Sequence, residues 1–175
     1  TNKWYFETSI AVTDVSDANI FVGFAQDGYV DSDTLPTDGI GFSHLQDTTT
    51  IQFISRKNGA GVSFDMLDTA GGSTFTFEDS TVPTQTATVQ AKPTNSVRLG
   101  FIYQPADSEP GVTANQYRLF LNGNPVGIQA ATTVPDDIAL EANMMIAHKG
   151  TNANHLVVDY FNTIQSRVAA SGPQA

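Results

Sequence analysis

Cysteine is absent from this 175-residue chain, so no disulfide can brace it and no thiolate can attack a substrate or ligate a metal. The core has to hold by packing alone, a condition that also fits synthesis in a reducing cytosol. Basic residues are scarce: 8 Lys and Arg stand against 18 Asp and Glu, for a net charge of -10 and a pI near 4.3. A surface of that sign repels phosphate backbones, because nucleic-acid binders gain affinity by replacing condensed counterions with Lys and Arg. No direct nucleic-acid partner is expected. The acidity is read first as a device for solubility or for salty surroundings, ahead of attraction to a basic partner. Also missing are a charged-then-apolar leader and any apolar run near the roughly 18 residues that a membrane span needs. The chain is expected to be soluble, with no membrane partner. No Asn-x-Ser/Thr sequon occurs, which gives no support to a eukaryotic secreted glycoprotein.

Helical periodicity is lacking as well: apolar residues never recur at i, i+3, i+4 and i+7 for more than one or two turns. Period-2 alternation takes its place. Trp4, Phe6, Ile10 and Val12 fall on even positions with Lys3, Glu7 and Ser9 on odd ones, the pattern of a half-buried strand. Ile20, Val22 and Phe24 repeat it, then Ile40 and Phe42, then Ile51 and Phe53. Val62, Phe64 and Met66 follow, then Phe75 and Phe77, and then Val97, Leu99, Phe101 and Tyr103. Turn signals separate them, notably Lys57-Asn58-Gly59 and Thr69-Ala70-Gly71-Gly72, and Asn122-Gly123 predicts a tight hairpin. Residues 28–39 and 104–114, rich in Pro, Gly and Asp, are expected to be loops, and the Thr-rich stretch 80–95 an edge strand or crossing loop. Val134-Pro135-Asp136-Asp137 is expected to start one short helical turn. Met144 and Ile146 mark a further strand, and residues 156–165 a closing one. About ten to thirteen short strands predict an all-β, two-sheet antiparallel sandwich of jelly-roll type over residues 1–167, with 168–175 as a flexible tail.

A set of landmarks adds a family likeness. Lys3-Trp4-Tyr5-Phe6-Glu7, Asp38-Gly39-Ile40-Gly41-Phe42, Arg98-Leu99-Gly100-Phe101, Leu121-Asn122-Gly123 and Val158-Asp159-Tyr160 occur in an order that resembles the concanavalin A-like lectin/glucanase superfamily. More narrowly, the opening and closing strands look like those of jelly-roll virion proteins of tailed bacteriophages. The likeness spans roughly residues 3–167. It implies a concanavalin A-like jelly roll hosting one of several roles, so the sites have to choose among them.

A retaining glucanase needs two carboxylates about 5 Å apart on one face. The resemblance would supply them as Glu-x-Asp-x-Glu from one strand, whereas Phe64-Asp65-Met66-Leu67-Asp68 holds no Glu, and Asp65 and Asp68 would point to opposite faces. Glu78-Asp79 fails for the same reason. Glu7 and Asp159 approach each other only if the first and last strands pair, and a cross-strand polar contact is the preferred reading. No Gly-x-Ser-x-Gly is present, and His44, His148 and His155 are not spaced as a zinc site. No catalytic residue, cofactor or firm metal site is assigned, and the chain is expected not to be an enzyme.

For a lectin-like role, the resemblance implies that Asp38 and Gly39 contact a sugar, and Asp27, Asp31 and Asp33 offer hard oxygen ligands of the kind calcium takes. The preferred reading of that loop is polar turns. The main expectation is a non-catalytic virion structural protein: a capsid decoration or cement protein on the capsid surface, assembled in the host cytoplasm. Its partners would be the major capsid protein and its own copies, a homotrimer being favoured, with contacts through Thr1, Asn2, Lys3, Arg167 and Gln174. The alternative is a carbohydrate-binding module, on a phage head fibre or a secreted bacterial protein, with a glycan as partner.

Overall fold

The computed structural model describes residues 3–29, 34–81, 93–135, 139–148 and 154–165, and no helix occurs among them. Ten strands follow in order: β1 (Trp4–Val12), β2 (Ala18–Gln26), β3 (Gly39–His44), β4 (Gln52–Lys57), β5 (Ala60–Asp65), β6 (Val97–Gln104), β7 (Gln116–Leu121), β8 (Asn124–Ala130), β9 (Leu140–His148) and β10 (Leu156–Gln165). They form two five-stranded sheets, ordered β10-β1-β6-β7-β8 and β5-β4-β3-β2-β9, with every pairing antiparallel. The expected all-β, two-sheet antiparallel sandwich is the observed architecture.

Alternation decides what lies between the sheets. Even-numbered Trp4 and Phe6 of β1 meet Phe24 of β2, and Phe6 also meets Phe42 of β3. Phe101 of β6 sits at the centre. Its ring centroid is 5.0 Å from Trp4, 5.4 Å from Phe6, 5.3 Å from Phe53 and 5.9 Å from Tyr117. Most of these rings meet edge to face or tilted, the arrangement in which the positive edge of one ring faces the negative face of another; each such pair adds roughly 0.5–1.5 kcal/mol beyond area burial. A chain without disulfides needs a dense centre of this kind.

Polar ties span the same gap. The Tyr117 hydroxyl on β7 is 3.1 Å from the Ser55 hydroxyl on β4, and the Thr133 hydroxyl donates to the Ser55 carbonyl at 3.0 Å. Burial pushes the Tyr117 phenol well above its ordinary value, which keeps it protonated and able to donate. His44 is buried at the end of β3, its ring nitrogens 2.8 Å from the Thr50 carbonyl and 2.9 Å from the Val15 carbonyl, so it joins two loops to the sheet.

Both Asn-Gly pairs make tight hairpin turns. Asn58 and Gly59 have φ of 52° and 77°, and Asn122 and Gly123 have 51° and 83°, the left-handed pair that matches the twist of flanking strands. Phe75 and Phe77, in contrast, do not form the strand that their alternation predicts. Their N–H groups donate to Met66 O and Thr49 O, both at 2.7 Å, so the segment is tied to neighbouring loops and builds no ladder. The spacing reflects burial of Phe77 against the core. Of the expected helical turn, Val134 and Pro135 are not helical, while Asp136 and Asp137 lie outside the described residues, as does the expected tail 168–175.

The two sheets differ on their outer faces. On the second, Phe21, Ala25 and Ile54 form a separate buried cluster beneath Tyr29, Leu35 and Met145. Tyr29 stacks edge-on over Phe21 at 5.5 Å, and its hydroxyl donates to the Thr34 carbonyl at 2.7 Å. Residues on both sides of 30–33 thus cover this face. The outer face of the first sheet is covered at one end only, where Ser9 and Ala11 are buried beside Pro93 and Ser96, while Tyr5 and Glu7 are half-buried and Arg98 and Arg118 exposed.

Because Phe101 touches rings from both sheets, Phe101→Ala is expected to cost about 3–5 kcal/mol, read as a shifted midpoint in urea denaturation. A loss below about 1 kcal/mol would mean that the ring cluster is not what joins the sheets.

Candidate functional site

Three cross-strand rows can be followed over the outer face of the first sheet. The first runs Ile164, Tyr5, Ile102, Arg118, Ile128, and the second Asn162, Glu7, Gly100, Phe120, Pro125. The third runs Tyr160, Ser9, Arg98 and reaches the β7–β8 turn, where Asn122 and Arg98 exchange two hydrogen bonds: Arg98 N–H to Asn122 Oδ1 at 2.9 Å, and Asn122 N–H to Arg98 O at 2.7 Å. Odd positions of β1 point outward because even ones are claimed by the core, so Tyr5, Glu7 and Ser9 lie on one face.

Glu7 is the hub. Its Oε1 accepts from the Tyr160 hydroxyl at 2.6 Å, its Oε2 accepts from the Tyr5 hydroxyl, and the Arg98 Nε lies 3.9 Å from Oε2. Its side chain keeps 19% of its surface exposed, so the carboxylate is wedged among donors yet still reachable. Burial opposes the charge, but the hydrogen bonds from Tyr160 and Tyr5, helped by Arg98, outweigh it and hold the carboxyl below its ordinary value of 4.5. Burial, the bond to Glu7 and the carboxylate charge push the Tyr160 phenol up to about 12, and the same causes push Tyr5 up as well. Both tyrosines remain protonated donors near neutrality.

Next to this hub β10 carries a bulge. Ser9 pairs with Tyr160 and Ile10 with Val158, which leaves Asp159 as the extra residue, a device that re-aims side chains at the rim of a site. A groove of about 260 Å³ opens there, lined by Ser9, Ser96, Arg98, Asn122, Asp159 and Tyr160.

The strand pairing assumed for Glu7 and Asp159 does occur, but the register sets Glu7 opposite Asn162, and the carboxylate is taken by tyrosines. Asp65 ends β5 on the edge of the other sheet and accepts from Gln52 Nε2 at 2.7 Å, while Asp68 lies in the turn beyond. Asp38 is 7% exposed. One of its carboxylate oxygens accepts the Asn58 N–H at 2.8 Å, its own N–H donates to Gln26 Oε1 at 3.0 Å, and its carbonyl accepts from Gln26 N–H at 2.9 Å. It braces two hairpins. A Cβ on Gly39 would lie 2.7 Å from Pro36 Cγ and 2.9 Å from the Phe24 carbonyl, so close packing requires glycine there. Of the calcium candidates, Asp27 is exposed just after β2, and Asp31 and Asp33 lie outside the described residues. Among the described residues no three His, Cys, Asp or Glu side chains gather as a metal site. Lys3 bonds to Glu109 on the loop after β6; Thr1, Asn2, Arg167 and Gln174 lie outside the described residues.

No protein-family model matches the chain, and no curated protein matches it in sequence. Solved structures resemble it distantly. The carbohydrate-binding module CBM66 from Bacillus subtilis aligns with a TM-score of 0.47 at 12% identity, over 93% of this chain and 75% of its own. Sheep galectin-11 gives 0.45 at 13% identity, over 94% and 91%. A marine PL7 alginate lyase from Zobellia galactanivorans gives 0.42 at 11% identity, over 95% and 63%. At this level of similarity nothing about ligand or chemistry transfers, and the geometry of the Glu7 cluster has to carry the functional argument.

Since the Glu7 carboxyl is held below its ordinary value, its contribution to stability is present above about pH 4.5 and is lost as pH falls through the lowered folded-state value. Denaturation curves of the parent chain and Glu7→Gln between pH 7 and pH 2 are expected to show the gap widest at neutral pH and shrinking under acid. A gap independent of pH would show that the tyrosine bonds do not favour the charged form.

Proposed function

We propose that the chain is a non-catalytic carbohydrate-binding module whose ligand lies against the outer face of the first sheet, over Glu7, Arg98 and Tyr160. One observation carries this reading: a carboxylate held ionised by two tyrosine hydroxyls beside a guanidinium, still partly exposed, at the edge of a groove. Sugars present hydroxyl groups that both give and accept hydrogen bonds, and apolar C–H faces that lie against rings. The cluster supplies the counterpart of each. Glu7 and Asp159 accept, Arg98 donates, and Tyr160 offers a ring. Bonds to charged groups are worth about 1.5–3 kcal/mol each, enough to select hydroxyl orientation. Tyr5 and Tyr160 fix the Glu7 rotamer before any ligand arrives, which lowers the entropy lost on binding.

The capsid-decoration role rests on the sequence landmarks. Of its named contacts, only Lys3 falls among the described residues, and it bonds to Glu109 of the same chain.

Affinity electrophoresis of the chain through gels containing soluble neutral polysaccharides tests the proposal. Retardation by at least one polymer is expected. Tyr160→Phe, which keeps the ring and removes one donor to Glu7, should weaken it by about tenfold, and Glu7→Ala should remove it. Unchanged mobility of the parent chain in every polymer, or retention that survives Glu7→Ala, would overturn the reading.

A further inference from the structure

The groove beside Tyr160 does not end at Arg98. A second groove, also about 260 Å³, is lined by Phe75, Thr76, Glu78 and Asn95 and shares Ser96 and Asn122 with the first. The two halves therefore meet over the β7–β8 turn and the start of β6. We infer that they form one continuous channel that holds an internal stretch of a neutral, linear glycan, at least two sugar units long, and not a single terminal sugar. This inference rests on the carbohydrate-binding reading and extends it past the Glu7 cluster.

The junction is built for passage. Gly123, at φ 83°, carries no side chain where a Cβ would come within 1.8 Å of Arg98 Nη2, so the guanidinium lies across the turn between the halves. The Arg98–Asn122 bonds fix the floor at that point. In the second half, Asn95 Nδ2 donates to the Asp79 carbonyl at 2.8 Å, and the Phe77 N–H is bound to Thr49, so the wall is set before ligand arrives. Together the halves fall within the ~300–1,000 Å³ of ordinary small-ligand sites.

The two halves differ in chemistry. The first presents Arg98, Asp159 and the Tyr160 ring; the second presents the Thr76 hydroxyl, the Glu78 carboxylate and the Phe75 ring. A carboxylate stands in each half against the one guanidinium between them, on a chain of net charge -10. That balance disfavours polyuronates and sulfated chains, which would bring further negative charge against Asp159 and Glu78. Neutral sugars suit both halves.

Chain length is the variable to test, using gluco-, xylo- and manno-oligosaccharides of one to six units, with oligouronates of the same lengths for comparison, by calorimetry and ligand-observed NMR on the intact protein. Affinity is expected to rise about tenfold or more between one and four units and then level off. Thr76→Trp, at an exposed position, should abolish that gain by filling the second half; Tyr160→Phe should weaken binding at every length. Equal affinity for one and six units, with Thr76→Trp silent, would overturn the channel and leave the carbohydrate-binding reading standing. Tighter binding of oligouronates than of neutral chains would overturn the charge argument. Absence of binding by every length, in parent and variants alike, would remove both readings together.

Discussion

The packing of aromatic rings between the sheets is the constraint on which the rest depends. With no disulfide to close the sandwich, the two layers are joined by Phe101 and the rings around it, together with the Tyr117–Ser55 tie. Assigning the even positions of β1 to that layer leaves Tyr5 and Glu7 pointing outward. Pairing of β1 with β6 and β10 then brings Arg98 and Tyr160 beside them. The candidate site is thus a by-product of core register: its side chains stand on three adjacent strands, a more exact support than loops provide.

The outer faces follow from the same alternation with opposite results. On the second sheet the outward positions of β2 and β4 are apolar, Phe21 and Ile54, and Tyr29 and Leu35 cover them. Across the first sheet they are mixed, with Tyr5, Glu7, Arg98 and Arg118 among Ile102 and Phe120, and both arginines stay exposed. Burial of apolar side chains accounts for the covered face. Hydration of charged ones keeps Arg98 and Arg118 exposed on the other.

Much of the fold was legible because alternation and Asn-Gly turns are local signals. Trp4 and Phe6 marked β1, Asn58-Gly59 marked a turn and Asn122-Gly123 a hairpin, and both turns occur where expected. Phe75 and Phe77 misled because alternation records one-sided burial, and burial occurs without a ladder. The cover on the second sheet also left a trace: β2 is apolar at Ile20, Phe21, Val22, Phe24 and Ala25, the nearly continuous run of a strand buried on both faces. The site was harder. Glu7 drew attention, and Tyr5 shares its face by simple alternation, but Arg98 and Tyr160 become its neighbours only through register between strands some ninety and a hundred and fifty residues apart, which no local pattern encodes. Asp38 stood out by its Asp-Gly start, and in the structure the pair braces hairpins and close packing.

The bulge in β10 separates what the fold requires from what the groove requires. Leu156 and Val158 pack toward the core on even numbers, and Phe161 does so on an odd one. Asp159 is where the parity changes, so a chain lacking that residue would alternate without interruption and keep every inward contact. The bulge costs the sheet one irregular pairing and sets a carboxylate at the groove wall, so deleting this one residue would straighten the strand and strip the wall of its charge without moving a core side chain.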